Sequence, residues 1–175
     1  MRGVVMMRKL PDLLTLSRGL IAAVILALGL VGARALEAVI ILTILGWTTD
    51  ILDGRLAREY HKPPTWIGEH EFLFDMVMVF SGLCYLVMSG LVNAWLALIY
   101  IVIAAVCIVF FRSKMITMSF ATPLVALPLI VAWFKAPRAA MWYLLWMAAA
   151  LLLDWSRFKG VVREFLENAR KLAQR

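Results

Sequence analysis

Four acids stand where an apolar chain should have none. Asp50 and Asp53 follow the apolar run AVIILTILGWTT, and Glu71 and Asp75 lead into MVMVFSGLCYLVM. Carboxylates at the ends of lipid-grade helices are costly to bury and mark a site by default. Asp50 and Asp53 are three residues apart, and Glu71 and Asp75 four, so on helices each pair shares one face. Two such helices side by side would bring four carboxylates together. Unpaired, they would repel one another, and hard divalent cations are the natural way to hold them. A second reading is open at this level: Arg55, Arg58 and Lys62 lie in the same stretch and could neutralise the acids in a salt-bridged loop. His61 and His70 are nearby, but two lone histidines with carboxylates lack zinc-ligand spacing. His70, beside Glu71, would at most tune a metal from behind its ligands.

The elements that must carry these acids are membrane helices. The chain is 64% hydrophobic and 17% charged over 175 residues, well below the charge of a soluble domain. It reads as a single all-α transmembrane domain over residues 1–175. Six spans are expected: about Leu20–Val31, Leu36–Asp53 with its helix continuing to Tyr60, Phe72–Met88, Ala94–Phe111, Met115–Phe134 and Ala139–Trp155. Pro63-Pro64 ends the second helix. The short basic N-terminus and the amphipathic segment after Trp155 read as interfacial helices. Six spans put both termini on one side. That side carries fifteen of the eighteen Lys and Arg, which makes it cytoplasmic, together with the four acids. The net charge of +7 is therefore a topology signal and a contact with membrane lipids, and calls for no nucleic-acid partner. Cys84 and Cys107 lie within apolar runs and read as packing residues.

The stretch Asp50–Asp75 resembles the signature of the CDP-alcohol phosphotransferase (CDP-alcohol phosphatidyltransferase) family, D-x2-D-G-x2-A-R-x8-G-x3-D-x3-D. Asp50, Asp53, Gly54, Ala57 and Arg58 match its first half without a gap, and Asp75 falls at the position of its last acid. Two positions depart: Glu71 replaces the third Asp, and the second glycine is displaced by one, with Ile67 at its place and Gly68 beside it. Thr65 is similar to the family's approach to that glycine. Pro11-Asp12-Leu13-Leu14-Thr15-Leu16-Ser17-Arg18 is similar to the family's P-N-x-L-T-x-x-R opening, with Asp12 for Asn.

The resemblance implies a membrane transferase that moves a phosphatidyl-type group from a CDP-alcohol, commonly CDP-diacylglycerol, to an acceptor hydroxyl and releases CMP. The acceptor would be a small polar or phosphorylated alcohol. Two divalent cations, Mg²⁺ or Mn²⁺, would be held by Asp50, Asp53, Glu71 and Asp75, with Asp75 also taking the acceptor proton. Gly54, Ala57, Arg58, Thr65 and Gly68 would bind the CDP part; Gly54 and Ala57 equally suit close helix packing. Arg112 and Lys114 would bind a phosphate on the acceptor or serve as topology charges. A homodimer in a prokaryotic plasma membrane is implied as well. Two other expectations stand beside this one: an ion- or proton-coupled transporter using the acids as a relay, and a family member that kept the fold and lost activity, for which Glu71 is the reason.

Overall fold

The computed structural model describes residues 2–59 and 65–155, with 159–160, 162–163 and 166–167 beyond them. The described residues are helical apart from short connections, with no strand among them. In order they form α1 (Arg2–Leu28), a 3₁₀ turn at Ala33–Ala35, α2 (Leu36–Glu59), α3 (Trp66–Glu69), α4 (Glu71–Met88), α5 (Ala94–Phe111), α6 (Lys114–Lys135) and α7 (Pro137–Leu153). Five stretches are long and apolar enough to cross a membrane, from Leu10–Leu28 to Met115–Lys135, and the chain is an integral membrane protein. The sixth expected span corresponds to α7, apolar but shorter at 17 residues.

Local chemistry fixes where the helices start and stop. Asn93 caps α5 by accepting from the N–H groups of Trp95 and Leu96. Arg112 ends α5 in the left-handed region at φ 45°. Pro137 opens α7 at a position where its missing N–H costs nothing. Pro123 and Pro128 lie inside α6, and the Tyr100 hydroxyl donates to the Phe120 carbonyl there (2.8 Å), tying α5 to the proline-bearing stretch.

The first span differs from expectation. Its apolar stretch covers Leu10–Leu28, where Leu20–Val31 was expected, and the chain leaves the helix into a turn at residues 29–31. Arg18, which on sequence looks like a boundary, is wholly buried within the span. The basic N-terminal residues belong to this same helix α1 and do not form a separate element. The expected C-terminal interfacial helix falls largely outside the described residues, as do Tyr60, His61, Lys62, Pro63 and Pro64.

α1 packs along both α2 and α4, and α7 covers the other side of α2. The apolar core lies toward the α1–α2 turn, around Ile25, Val39, Ile40, Leu86, Ala140 and Tyr143. The Tyr85 hydroxyl donates to the Gly32 carbonyl (3.1 Å) and fastens that turn to α4. Because α1 and α2 are antiparallel across this turn, Arg18 and the pair Asp50/Asp53 meet at the opposite end of the bundle.

Candidate active site

Three helices deliver the site. α2 presents Asp50 and Asp53, α4 presents Glu71 and Asp75, and α1 inserts Arg18 between them. Two close approaches set this geometry. A Cβ at Gly46, one turn before Asp50, would fall on the Met78 sulfur, so the end of this α4 side chain lies directly against the α2 backbone there. A Cβ at Gly19 would lie 3.3 Å from the Phe74 ring, which brings α1 against α4 beside Asp75.

The Arg18 guanidinium touches all four acids. Nη1 donates to Asp50 Oδ1 and to Asp75 Oδ1. Nη2 donates to Asp53 Oδ2 at 2.6 Å and lies 3.8 Å from Glu71 Oε1. Thr15, one turn earlier on α1, lies beside them. Its hydroxyl is 3.0 Å from Asp53 Oδ2 and 3.1 Å from the Pro11 carbonyl, and accepts from Arg18 Nη2 at 3.3 Å. The cluster is graded from inside to outside: Asp53 is 3% exposed, Asp50 and Asp75 22% each, and Glu71 43%.

The ion pairs leave the site unbalanced. Four carboxylates share one guanidinium, which leaves a formal excess of three negative charges within the cluster. Asp53 Oδ1 and Arg18 Nε are both buried without a hydrogen-bond partner. Buried polar groups are nearly always paired, and each exception calls for an explanation. Oxygens of Asp50, Asp53 and Glu71 lie within 4.8 Å of one another, close enough to ligate one ion. Carboxylate oxygens are the donor set of a hard cation, so the residues fit a divalent ion. The extra methylene of Glu71 does not remove it from this group. Asp75 joins the cluster through the Arg18 Nη1 that it shares with Asp50.

The salt-bridged-loop reading needs correcting in its choice of cation. Arg55 faces away and meets Asp154 at 3.3 Å and the Leu153 carbonyl at 3.3 Å, joining the end of α2 to the end of α7. Arg58 is exposed, and Lys62 lies outside the described residues. The neutralising charge comes from α1 instead, because only tertiary packing brings position 18 to the acids.

The remaining expected site residues fall in two groups. Thr65 and Gly68 are on the near rim. Thr65 caps α3, accepting from Gly68 N–H (3.2 Å), and donates to Asp12 Oδ1 (2.9 Å), which ties α3 to α1. Gly54 follows Asp53 on α2 and is half-buried; the side chain of Ala57 lies outside the described set. Arg112 is exposed at the end of α5, with the Lys114 side chain likewise undescribed. His70 is occupied locally: its Nδ1 lies 2.7 Å from the Trp66 carbonyl and its ring stacks on Trp66. Arg18, Thr15, Gly19 and Gly46 carry no expected role from the sequence, although Thr15 and Arg18 stand in the P-x-x-L-T-x-x-R opening.

Beside Asp75 an apolar cavity of 330 Å³ opens between α2, α4 and α6, bounded by Trp47, Phe72, Val79, Met118 and Val125. A second, of 140 Å³, shares Met76, Val79, Thr117 and Ala121 with it and continues toward α5. A carboxylate at the head of an apolar trough can meet a molecule with a polar reacting end and a lipid body.

No curated protein and no solved structure shows significant similarity to the chain. The sequence profile of the CDP-alcohol phosphatidyltransferase family matches residues 8–157, which include Arg18 and all four acids of the cluster. With a match over most of its length, this integral membrane protein belongs to the CDP-alcohol phosphatidyltransferase family.

Proposed function

We propose that the chain transfers a phosphatidyl-type group from a CDP-alcohol, with CDP-diacylglycerol as the donor, to an alcohol acceptor and releases CMP. The observation that carries this reading is the group of four carboxylates from α2 and α4 around one guanidinium, within a family of CDP-alcohol transferases. Asp50, Asp53, Glu71 and Asp75 would hold two divalent cations, Mg²⁺ or Mn²⁺. When bound, these neutralise the pyrophosphate and stabilise charge in the transition state. The four carboxylates would balance two such ions, so that an incoming anion no longer meets the excess negative charge of the cluster.

The chain's own groups do the rest. Asp75 lines the cavity and accepts the proton of the acceptor hydroxyl. The acceptor oxygen then forms a bond to the phosphorus that carries the lipid, and the bond from that phosphorus to the CMP oxygen breaks. The apolar trough beside Asp75 suits an acyl chain. Gly54, Ala57, Arg58, Thr65 and Gly68 bind the CDP portion, and Arg112 and Lys114 a phosphate on the acceptor. Six spans with cytoplasmic termini, and a homodimer, complete the proposed architecture in a prokaryotic plasma membrane.

A second reading has one observation in its favour. Arg18 already pairs with all four acids, as it would in an inactive family member that keeps the cluster as a structural ion-pair network. The unpaired Asp53 Oδ1 and the excess negative charge argue against it. The test is CMP release by the purified protein from CDP-diacylglycerol, offered glycerol 3-phosphate, inositol phosphate, serine or phosphatidylglycerol. Release with one acceptor, abolished by EDTA, supports the transferase and names its acceptor. Silence across the panel, from protein that binds CDP with Mg²⁺, favours the inactive member.

A further inference from the structure

Arg18 occupies one oxygen of each of three carboxylates that a cation would use. Its guanidinium contacts Asp50 Oδ1, Asp53 Oδ2 and Asp75 Oδ1 and sits near Glu71 Oε1. It is fully buried in the middle of a membrane helix, where an unpaired charge is expensive. Two details mark this seat as an imperfect home for arginine. The buried Nε has no acceptor, although a guanidinium offers five donors that a dedicated pocket would satisfy. One buried oxygen of Asp53 has no donor, although the guanidinium is in contact with the other. A site shaped for arginine alone would leave neither.

We infer that Arg18 is the exchangeable internal counter-ion of the acid cluster: it holds Asp50, Asp53, Glu71 and Asp75 together without metal and yields carboxylate oxygens when a divalent cation binds. This rests on the reading above, that the cluster binds divalent cations. Without any cation the four carboxylates would repel and drive α2 and α4 apart. With Arg18 in place the bundle stays assembled, and metal binding becomes an exchange of one cation for another. Arg18 is thus a positioning residue that acts through the carboxylates. The exchange lowers apparent metal affinity by the fraction of molecules in which the guanidinium has already withdrawn.

The test uses the full chain in detergent with Mn²⁺ alone as probe. Free Mn²⁺ is followed by electron paramagnetic resonance, and melting is measured in EDTA and in Mn²⁺. Wild type is expected to bind Mn²⁺ and Asp53→Asn to lose it. Failure of wild type to bind would overturn the proposed function itself. Arg18→Gln is expected to bind Mn²⁺ about tenfold more tightly, the factor that follows if the open form is roughly a tenth of wild-type molecules. It should melt lower than wild type in EDTA and recover most of the difference in Mn²⁺. Arg18→Lys should fall between the two, since an ammonium lacks the planar fork that spans several carboxylates. Wild-type binding with unchanged or weaker affinity in the Arg18 variants, or an equal drop in melting temperature with and without Mn²⁺, would overturn the exchange and leave Arg18 a structural residue. If neither variant folds, wild type carrying guanidino-¹³C arginine decides by infrared difference between EDTA and Mg²⁺. A shifted guanidinium band supports displacement, and an unchanged one excludes it.

Discussion

The two halves of the bundle are built on different principles. In α4, which faces both α1 and α2, 39% of the span is buried, whereas only 11% of α5 is. The first half is held by specific features: glycine-backed helix contacts at Gly19 and Gly46, an ion-paired arginine and a hydroxyl on Asp53. α5 is uniformly apolar, and most of its large side chains, among them Leu96, Val102, Val106 and Phe110, face outward. In lipid that exposure costs little, because hydrocarbon solvates such side chains as well as a protein core does. The contrast teaches that the acid cluster is held by a few polar contacts among α1, α2 and α4, while α5 and the outer face of α6 present an apolar wall. Substitutions should therefore have effects set by their distance from the cluster rather than by their hydrophobicity.

The largest expected loss is at the acceptor end of the cluster. Asp75→Asn should lower CMP release by about 10²–10⁴-fold, the usual contribution of a positioned base. The protein should stay folded, because the amide is the same size and removes one of the four repelling charges. Turnover near wild type would remove Asp75 as the base. Next comes the helix contact. Gly46→Val forces the end of the Met78 side chain out of its place beside the cluster and should lower activity by about tenfold, the equivalent of the ~1–3 kcal/mol that overpacking costs. Retained activity in the same assay would mean that the Gly46–Met78 approach does not set the site.

Much of the first half is legible in the sequence, and the reasons it is only partly so are physical. The acids announce themselves, since carboxylates are rare in apolar helices and their spacing of three and four places each pair on one face. The spans expected at Phe72–Met88 and Ala94–Phe111 fall within one residue of α4 and α5, because each apolar run is bounded by polar residues. Arg18 is harder. One basic residue near the start of an apolar run looks like a membrane boundary, and only the packing of three helices reveals that it neutralises residues 32 to 57 positions away. Gly19 and Gly46 carry no local signal either, because a glycine in a membrane helix is common and its neighbour is set by tertiary structure. The short α3 is hidden for another reason: its four residues are too few to show a period. In α5 the uniform hydropathy predicts the span but no face, which agrees with its position at the edge of the bundle.

Smaller effects refine the comparison. Glu71→Asp should keep activity within about tenfold, because position 71 lies at the exposed rim where α4 begins and can adjust more readily than a buried ligand; Glu71→Ala should fall much further, and both are read by CMP release. Equal, unchanged activity in both variants would place position 71 outside the metal site. At the bottom of the scale, Val106→Leu and Phe110→Leu on α5 should leave activity and melting nearly unchanged, within about 0.5 kcal/mol in stability, as expected for surface substitutions away from special features. A strong effect from either would show that α5 contacts a partner, and that its outward face is not simply a lipid wall.

If the cluster on α2 and α4 is a metal-dependent catalytic centre, CMP release must follow both the metal and its most buried acid, Asp53. The most direct measurement compares wild type and Asp53→Asn, both in detergent, for CMP release from CDP-diacylglycerol with the responsive acceptor, as Mg²⁺ is titrated from EDTA to saturation. Wild type should be inactive in EDTA and rise to a plateau. Asp53→Asn should remain near background at every Mg²⁺ concentration while still folding. Equal release by wild type with and without metal, or a normal plateau in Asp53→Asn, would contradict the account.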